Sequence, residues 1–331
     1  MAAYTVAHID ARTEHFPHEE PELAKADGRL ISRLCRSDDE VIEFARDADG
    51  IICVAYPVGR SIFEACPKLK VVVRYGIGFD NIDVGAATEH GVVVCNITDY
   101  CINEVATHAM SMLLALNRRL IILDRAARRG ERVPLGPTGP LEGETLGLIA
   151  FGNIARAVAE RARPFGLRIV AYDPYVDPSL AAQAGVELLP LDEVMRQSDY
   201  VSVHAPLNAE TRGIIGPEQL GLMKPTAHLV TTCRGGVVNE AALRDALEEG
   251  RIAGAGVDVW DPEPVKPENP LLAYDNVIAT PHSAFYSERS LPLLQQRVGE
   301  AAADVLRGYL PRSVVNPAVL ERVTLTPHPD R

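Results

Sequence analysis

The chain has 331 residues, of which 47% are apolar, and its formal net charge at pH 7 is −12. This length predicts about two domains, each able to bury a core. The acidic balance argues against nucleic acid and anionic membranes as partners, and no apolar run is long enough to span a bilayer.

The N-terminus and the cysteines both favour a cytoplasmic protein. No basic segment is followed by a long apolar run, so we expect no secretory signal. The six cysteines are scattered and four of them lie in or beside apolar runs, which indicates buried, reduced thiols. The histidines of "EHFPHEEPE" lack the i,i+4 spacing of a helical ligand pair, so we expect no metal site.

The first hundred or so residues alternate short apolar runs with helical patterns. Such alternation predicts a mostly parallel sheet with helices on both faces. Ser37 is a predicted N-cap for the helix "SDDEVIEFARDA". The predicted strands are "YTVAHID", "GRLISRL", "GIICVAY", "LKVVVRYG" and "GVVVCN".

A long helix is predicted over residues 103–119, and "GERVPLGPTGPLEGETL" after it reads as a loop. A second α/β unit begins at Thr145. In it, Asn239 caps a helix that Gly250 ends. A final helix, "LPLLQQRVGEAAADVLRG", has no sheet left to complete, so it should pack back on the first domain. The strands predicted for this unit are "TLGLIA", "LRIVAYD", "DYVSVH", "AHLVTT", "IAGAGVDV" and "NVIAT".

The stretch "TLGLIAFGNIARAVAERARPFGLRIVAYDPY" has the layout of a dinucleotide site. In the fingerprint G-x-G-x-x-G/A, Gly152 is the glycine of closest approach and Ala155 the accepted third position. Ala150 replaces the first glycine, which we expect to be tolerated only with a negative φ. Asp173 ends the second strand, where a carboxylate binds the ribose 2′-OH and repels a 2′-phosphate. NAD(H) is therefore expected rather than NADP(H); the alternative is a plain βαβ packing turn.

Three ionisable residues follow strand ends of this second unit: Arg234, Glu263 and His282. The ends of parallel strands meet at one edge of the sheet, where ligands bind. Arginine can clamp a carboxylate, histidine can exchange a proton with a carbonyl oxygen, and glutamate can orient the imidazole and favour its protonated form. Taken singly, each has a structural alternative: a surface arginine, a loop glutamate among prolines, and a histidine at a strand end.

Five motifs in this order resemble the D-isomer-specific 2-hydroxyacid dehydrogenases over nearly the whole chain. They are the 145–173 fingerprint, "VHAPLNAET", "TTCRGGVVNEAAL", "GAGVDVWDPEP" and "TPHSAFYSE". Within that family, "VVVRYGIGFDNIDV", "GVVVCN" and "HSAFYSE" are most similar to the C-terminal binding proteins, which are NAD-dependent corepressors. The resemblance does not imply that this chain represses transcription.

The resemblance implies an α/β fold of two doubly wound parallel-sheet domains. A Rossmann NAD-binding domain (103–290) would be inserted in a discontinuous, flavodoxin-like substrate domain (1–102 and 291–331). The cleft between them would close about hinges near 100–104 and 283–291. The family also implies a homodimer.

The resemblance further assigns residues by matched position. The implied catalytic residues are Arg234, Glu263 and His282. The implied substrate-side residues are Arg74, Tyr75, Gly76, Ile77, Gly78 and Phe285, the last replacing a corepressor tryptophan. The implied cofactor contacts are Val105, Gly152, Asn153, Ile154, Asp173, His204, Ala205, Pro206, Thr211, Thr232, Cys233, Arg234, Asp258 and His282. Cys233 stands where alanine is common in the family, which alters the fit but removes no catalytic group.

The resulting hypothesis is hydride transfer between NAD(H) and a 2-keto or D-2-hydroxy acid. The residues Arg74, Tyr75, Ile77, Tyr100 and Phe285 suit a medium apolar or aromatic substrate side chain better than a phosphate. Two alternatives stay open. One is an NAD(H)-gated scaffold with little turnover, and the other is phosphite or formate oxidation on the same fold.

Overall fold

The computed structural model describes residues 2–132 and 138–330, and the chain divides into two compact units. The first unit comprises residues 1–100 and 287–331, and the second comprises residues 101–286. Each is built on one sheet in which every strand pair is parallel. This is the α/β fold class predicted from the sequence.

Strands and helices alternate along the chain. The strands are β1 (Tyr4–His8), β2 (Gly28–Ser32), β3 (Gly50–Cys53), β4 (Val71–Arg74), β5 (Val93–Cys95), β6 (Thr145–Ile149), β7 (Arg168–Tyr172), β8 (Glu187–Leu188), β9 (Tyr200–Val203), β10 (His228–Thr231), β11 (Gly254–Val257) and β12 (Val277–Ala279). The helices are α1 (Glu19–Ala24), α2 (Asp38–Ala45), α3 (Arg60–Ala65), α4 (Val84–Glu89), α5 (Ile102–Asn117), α6 (Leu120–Arg128), α7 (Asn153–Ala162), α8 (Pro178–Gln183), α9 (Leu191–Gln197), α10 (Pro217–Leu222), α11 (Glu240–Glu248) and α12 (Ser290–Leu306). Short 3-10 turns occupy Arg163–Phe165, Pro270–Ala273 and Pro317–Glu321.

The sheet of the first unit has the strand order β2-β1-β3-β4-β5. This is the flavodoxin-like order, whose switch point lies between β1 and β3. The final helix, α12, packs against α1 and β4 within this unit, as predicted for it. Gly299 allows the close approach, because a Cβ there would lie 2.7 Å from the carbonyl oxygen of Glu19.

The sheet of the second unit has the order β12-β11-β10-β9-β6-β7-β8. Counted from β6, this is the Rossmann order 3-2-1-4-5-6 with a seventh strand added. Its switch point falls between β6 and β9, which are hydrogen-bonded neighbours. A ligand crevice is therefore expected beyond the carboxyl ends of these two strands.

The ends of two helices show the capping contacts that the sequence predicted. Ser37 accepts a hydrogen bond from the Glu40 amide at 3.3 Å, and Asn239 accepts one from the Ala242 amide at 3.0 Å. Both predicted caps are confirmed, and each satisfies an amide that the helix itself leaves unpaired. Gly250 follows α11 with φ +67°, the left-handed conformation that ends many helices.

The sequence analysis did not predict the helices α1, α4, α6, α8, α9 and α10 or the strand β8. Except for α6, these helices have only six or seven residues, too few for an apolar period to be recognised. The helix predicted over 103–119 ends at Asn117, and Arg119 takes a left-handed φ of +52° before a new helix, α6, begins. The two-residue strand β8 is too short to leave a pattern. Of the loop predicted after α6, residues 133–137 lie outside the described part of the chain. Among the described residues, no helix is long and apolar enough to cross a membrane.

Candidate active site

The turn between β6 and α7 presents backbone amides at a helix N-terminus. Gly152 is the N-cap residue, and α7 begins at Asn153. A Cβ built on Gly152 would meet no atom within 4 Å, so space is open where a ligand would approach. The first amides of a helix have no partner within it and attract negative charge. This turn therefore has the features that a pyrophosphate requires.

Ala150 adopts φ +70°, so the prediction of a negative φ was wrong. The chain must reverse between β6 and α7, and the Ala150 amide still bonds to the Tyr172 carbonyl at 2.8 Å. The fingerprint glycine supplies a left-handed residue at this turn without steric cost. The alanine takes the same conformation, at a cost of about 1–2 kcal/mol. The turn is kept, although a left-handed Ala150 was expected to abolish it.

Asp173 organises the end of β7. Its Oδ2 accepts a hydrogen bond from the Phe151 amide at 2.8 Å. Its Oδ1 accepts from the amides of Tyr175 and Val176, at 2.8 and 3.0 Å. Because each carboxylate oxygen can accept two hydrogen bonds, the group keeps capacity for a ribose hydroxyl. The carboxylate thus ties the turn after β6 to the loop after β7.

The loop after β9 carries four of the predicted cofactor residues. The Nε2 of His204 lies 2.9 Å from the Ser202 hydroxyl, and burial lowers the pKa of His204 to about 4, so its imidazole is neutral. Ala205 is buried, and Thr211 donates from its hydroxyl to the Pro206 carbonyl at 2.5 Å. The Thr211 side chain therefore closes its own loop, a structural use that the sequence did not reveal.

The segment after β10 holds an unusual polar atom. Among the residues described, the buried Oγ1 of Thr232 has no hydrogen-bond partner. A buried hydroxyl without a partner costs free energy, which a bound polar ligand can recover. The neighbouring Cys233 has its thiol 3.6 Å from the Thr231 hydroxyl, and burial raises the pKa of Cys233. Val105, also predicted near the cofactor, is buried on α5.

Glu263 and His282 form a hydrogen-bonded pair. Glu263 Oε2 lies 2.7 Å from His282 Nδ1, and its Oε1 accepts from the Trp260 amide at 3.0 Å. Burial acts to raise the pKa of Glu263, but the bonds to His282 and Trp260 and the charges of His282 and Arg234 outweigh it and leave the pKa lowered. Glu263 is therefore held as an anion, and Nε2 is left as the imidazole nitrogen for a reacting group.

Arg234 and Phe285 complete this group within the second unit. Arg234 donates from Nη1 to the Cys233 carbonyl at 2.9 Å, and its charge acts on Glu263. The Phe285 ring meets His282 edge-on, with 6.1 Å between ring centroids. The structure thus brings together the three residues predicted as catalytic and one predicted on the substrate side.

Asp258 fixes the segment that carries His282. Its carboxylate is fully buried and accepts hydrogen bonds from the Thr280 hydroxyl at 2.5 Å and from the amides of Ser283 and Ala284 at 2.9 and 3.1 Å. Its carbonyl accepts from the amide of His282, whose φ is +52°. Asp258 was predicted from the family to contact the cofactor, and a direct contact stays a prediction.

The sequence reading missed His108 in this network. On α5, His108 places Nε2 3.1 Å from the Thr280 hydroxyl and 3.7 Å from Asp258 Oδ1. The position of its partners along the chain could have indicated this network. Thr280 and Asp258 each directly follow a strand, as His282 and Glu263 nearly do, and all therefore lie at the same edge of the sheet.

The first unit carries the other predicted substrate-side residues in the loop after β4. Arg74 folds back to donate from Nη1 to the Tyr75 carbonyl at 2.7 Å. Gly76 has φ +138°, a backbone conformation that favours glycine at this position of the loop. The Tyr75 hydroxyl donates to the buried Glu19 at 2.6 Å. Ile77 and Gly78 are half-buried.

Residues 110–284 match the family described as D-isomer specific 2-hydroxyacid dehydrogenase, NAD binding domain. The chain is 41% identical over 287 residues to the glyoxylate reductase of Korarchaeum cryptofilum, a match that covers 85% of this chain and 86% of that protein. It is 42% identical over 281 residues to the D-3-phosphoglycerate dehydrogenase of Methanocaldococcus jannaschii, covering 84% of this chain and 53% of that protein.

Two solved structures are similar over nearly the full chain. The D-lactate dehydrogenase of Aquifex aeolicus, complexed with NAD and lactic acid, aligns with a TM-score of 0.81 and 26% identity over 96% of this chain and 98% of that one. The NADPH-dependent glyoxylate/hydroxypyruvate reductase of Sinorhizobium meliloti, in complex with NADP and malonate, aligns with a TM-score of 0.83 and 28% identity over 96% of this chain and 97% of that one.

Proposed function

Because the chain belongs to the D-isomer-specific 2-hydroxyacid dehydrogenases, we propose that it exchanges a hydride between NAD(H) and a 2-keto acid or the matching D-2-hydroxy acid. The observation that carries this proposal is the Glu263–His282 pair beside the charge of Arg234. Reduction of a keto acid needs a proton donor for the keto oxygen and a group that binds the carboxylate. An imidazole oriented by an anion can serve as the first, and a guanidinium beside it can serve as the second.

Each residue has one task in this proposal. Arg234 binds the substrate carboxylate and fixes the reacting carbon. His282, protonated, donates from Nε2 to the keto oxygen as negative charge develops there. Glu263 accepts from Nδ1, which fixes the tautomer and stabilises the imidazolium. When bound, the nicotinamide cofactor supplies or accepts the hydride.

Asp258, Thr280 and His108 act by position in this proposal. Since the buried Asp258 carboxylate binds the backbone on either side of the histidine segment, it keeps His282 in its left-handed conformation. A residue with φ above zero costs energy unless its surroundings enforce it. The network therefore holds Nε2 in one place before substrate binds.

The proposed cofactor is NAD(H) rather than NADP(H). Asp173 carries a carboxylate at the end of β7, and a carboxylate repels a 2′-phosphate. The similar structures include proteins crystallised with NAD and with NADP, so the fold permits either. Discrimination is left to Asp173 and its neighbours. The helix N-terminus at Gly152–Ile154 would bind the pyrophosphate.

The finer identity also stays a proposal. The relatives reported above are a glyoxylate reductase and a phosphoglycerate dehydrogenase, so small 2-keto acids are the first substrates to test. The closer resemblance to the C-terminal binding proteins has no support in these comparisons. The homodimer and the cytoplasmic location expected from the sequence stay predictions.

The test is NADH oxidation with a panel of glyoxylate, hydroxypyruvate, pyruvate and 2-ketoisocaproate, run beside NAD reduction with phosphite and formate. Turnover of at least one keto acid, and none of phosphite or formate, is expected. Micromolar NADH binding with no turnover of any keto acid would refute the enzyme and favour the scaffold. Turnover of phosphite or formate alone would move the enzyme to another substrate class.

A further inference from the structure

In the loop after β4 of the first unit, hydrogen bonds hold the carbonyls of two residues whose neighbouring amides are left without partners in the described part of the chain. The Tyr75 and Gly76 amides donate to the carbonyls of Cys53 and Arg74, at 2.8 and 2.9 Å. The carbonyls of Gly76 and Ile77 are bound from the segment after β5, as described next. Within residues 2–132 and 138–330, the amides of Ile77 and Gly78 have no hydrogen-bond partner.

Two bonds from the end of β5 hold the carbonyls. The Ile97 amide donates to the Gly76 carbonyl at 2.9 Å, and the Asn96 side chain donates from Nδ2 to the Ile77 carbonyl at 2.5 Å. In a planar trans peptide the C=O and the following N–H point in opposite directions. The Ile77 amide therefore points away from Ile97, and the Gly78 amide points away from the Asn96 side chain, so both face away from the segment 96–97. Two successive amides aimed the same way form a concave donor for an anion.

The orientation of the Asn96 amide group is itself fixed. The Ser313 hydroxyl donates to Asn96 Oδ1 at 2.6 Å, and Asn96 is only 7% exposed. A flipped amide would place its oxygen against the Ile77 carbonyl and its nitrogen against Ser313. In the observed orientation, Nδ2 of Asn96 donates to a carbonyl and its Oδ1 accepts from a hydroxyl, so each atom meets a suitable partner.

We propose that Asn96 is a positioning residue for substrate binding: it aims the Ile77 and Gly78 amides at the substrate carboxylate, and Ser313 sets the orientation of Asn96. This inference rests on the proposed function, since a 2-keto acid supplies the carboxylate. Asn96 does not touch the substrate. It acts through the Ile77 peptide plane, which would rotate if the carbonyl lost its donor.

A second buried asparagine separates positioning from simple stability. Asn316 is 3% exposed, donates from Nδ2 to the Val92 carbonyl at 2.9 Å and accepts from the Val94 amide at 2.9 Å. It resembles Asn96 in burial and also bonds to the segment around β5, with a further bond to the Thr88 hydroxyl at 3.0 Å. Among the described residues, none of its side-chain hydrogen bonds reaches the loop 75–78. Asn316→Asp is therefore the matched control for Asn96→Asp.

The experiment measures NADH-dependent reduction of glyoxylate and pyruvate, NADH affinity and thermal unfolding for both variants. Asn96→Asp replaces the donor Nδ2 by an oxygen facing the Ile77 carbonyl. We expect its keto-acid KM to rise about 10- to 100-fold, the range for a lost hydrogen bond to a charged group. NADH affinity should be unchanged and kcat should fall less than about fivefold. This pattern is expected when an enzyme loses binding energy that it uses equally for the substrate and for the transition state.

The controls decide between the outcomes. Asn316→Asp should lower the melting temperature but leave the keto-acid KM within about twofold. If the two variants raise KM equally, Asn96 is merely structural. Unchanged KM in an active Asn96→Asp enzyme would overturn this inference alone, whereas a wild-type protein that reduces no keto acid would overturn the proposed function as well.

Ser313→Ala is the second variant and covers the case in which Asn96→Asp does not fold. It removes the bond that orients Asn96 and leaves the Asn96 donor in place, so a smaller rise in KM of about two- to fivefold is expected. The inhibition constant of oxamate, a non-reducible carboxylate, should rise in the same proportion. A KM and an oxamate constant equal to wild type would overturn the proposal.

Discussion

Ala150→Gly should not destabilise the second unit, although it removes a side chain. Ala150 holds φ +70° in the turn before α7, a conformation that costs a residue with a Cβ about 1–2 kcal/mol. Glycine removes this cost but adds freedom to the unfolded chain, worth about 0.4–1 kcal/mol. The free energy of unfolding should therefore be unchanged or increase by up to about 1.5 kcal/mol.

Ala155→Gly is the matched control, because it makes the same chemical change five residues later. Ala155 is a fully buried residue inside α7. Glycine costs about 1 kcal/mol in a helix interior, and the lost buried methyl costs about 0.8 kcal/mol more. The two variants should thus differ by about 2–3 kcal/mol, or at least about 4 °C in melting temperature for a domain of this size.

Thermal unfolding followed by circular dichroism, with NADH affinity measured in parallel, makes the comparison. Ala150→Gly should bind NADH at least as tightly as wild type, because the turn that presents the Gly152 amide is unchanged. Equal destabilisation by the two substitutions would show that Ala150 is not strained. It would then be wrong that alanine pays an energetic cost in the turn where the fingerprint has glycine.

Three further predictions concern the second unit. Asp173→Ser should raise kcat/KM with NADPH about tenfold or more relative to NADH, because the carboxylate no longer repels a 2′-phosphate; an unchanged ratio would place cofactor selection elsewhere. Glu263→Gln should lower kcat for keto-acid reduction about 10- to 100-fold, since the His282 imidazolium loses its counter-charge; an unchanged kcat would argue against that role. Burial lowers the pKa of His228 to about 4, so between pH 6.5 and 4 the unfolded chain binds a proton that the folded chain excludes, and acidification destabilises by up to about 1.4 kcal/mol per pH unit. His228→Phe keeps the stacking on Tyr200 and should reduce the fall in melting temperature between pH 7 and pH 5; an unaltered pH slope would contradict this.

Much of the fold was readable because local patterns agree with the tertiary structure. The strand runs are continuous apolar stretches, as strands buried on both faces require, and caps such as Asn239 mark helix starts. The Glu263–His282 pair was predictable because both residues follow strand ends, and the ends of parallel strands share one edge. Family resemblance named the residues that spacing alone left ambiguous.

The parts that were missed depend on backbone conformation and on long-range contacts. The φ of Ala150 was predicted from the preference of alanine, whereas the turn geometry decided it. Helix α6 was missed because Arg119 was interpreted as the end of one helix and instead starts another from a left-handed conformation. The bond from Asn96 to Ile77 joins residues 19 positions apart, and no periodicity in the sequence encodes such a contact.

The most direct test of the proposed mechanism is kcat for glyoxylate reduction by His282→Ala at saturating NADH, with His228→Phe as the control for a histidine outside the site. General acid catalysis contributes about 10²–10⁴-fold, so His282→Ala should lose at least about a hundredfold in kcat while its melting temperature stays close to wild type. Saturating NADH keeps any change in cofactor affinity out of the measured kcat. A kcat within about tenfold of wild type would show that His282 does not deliver the proton.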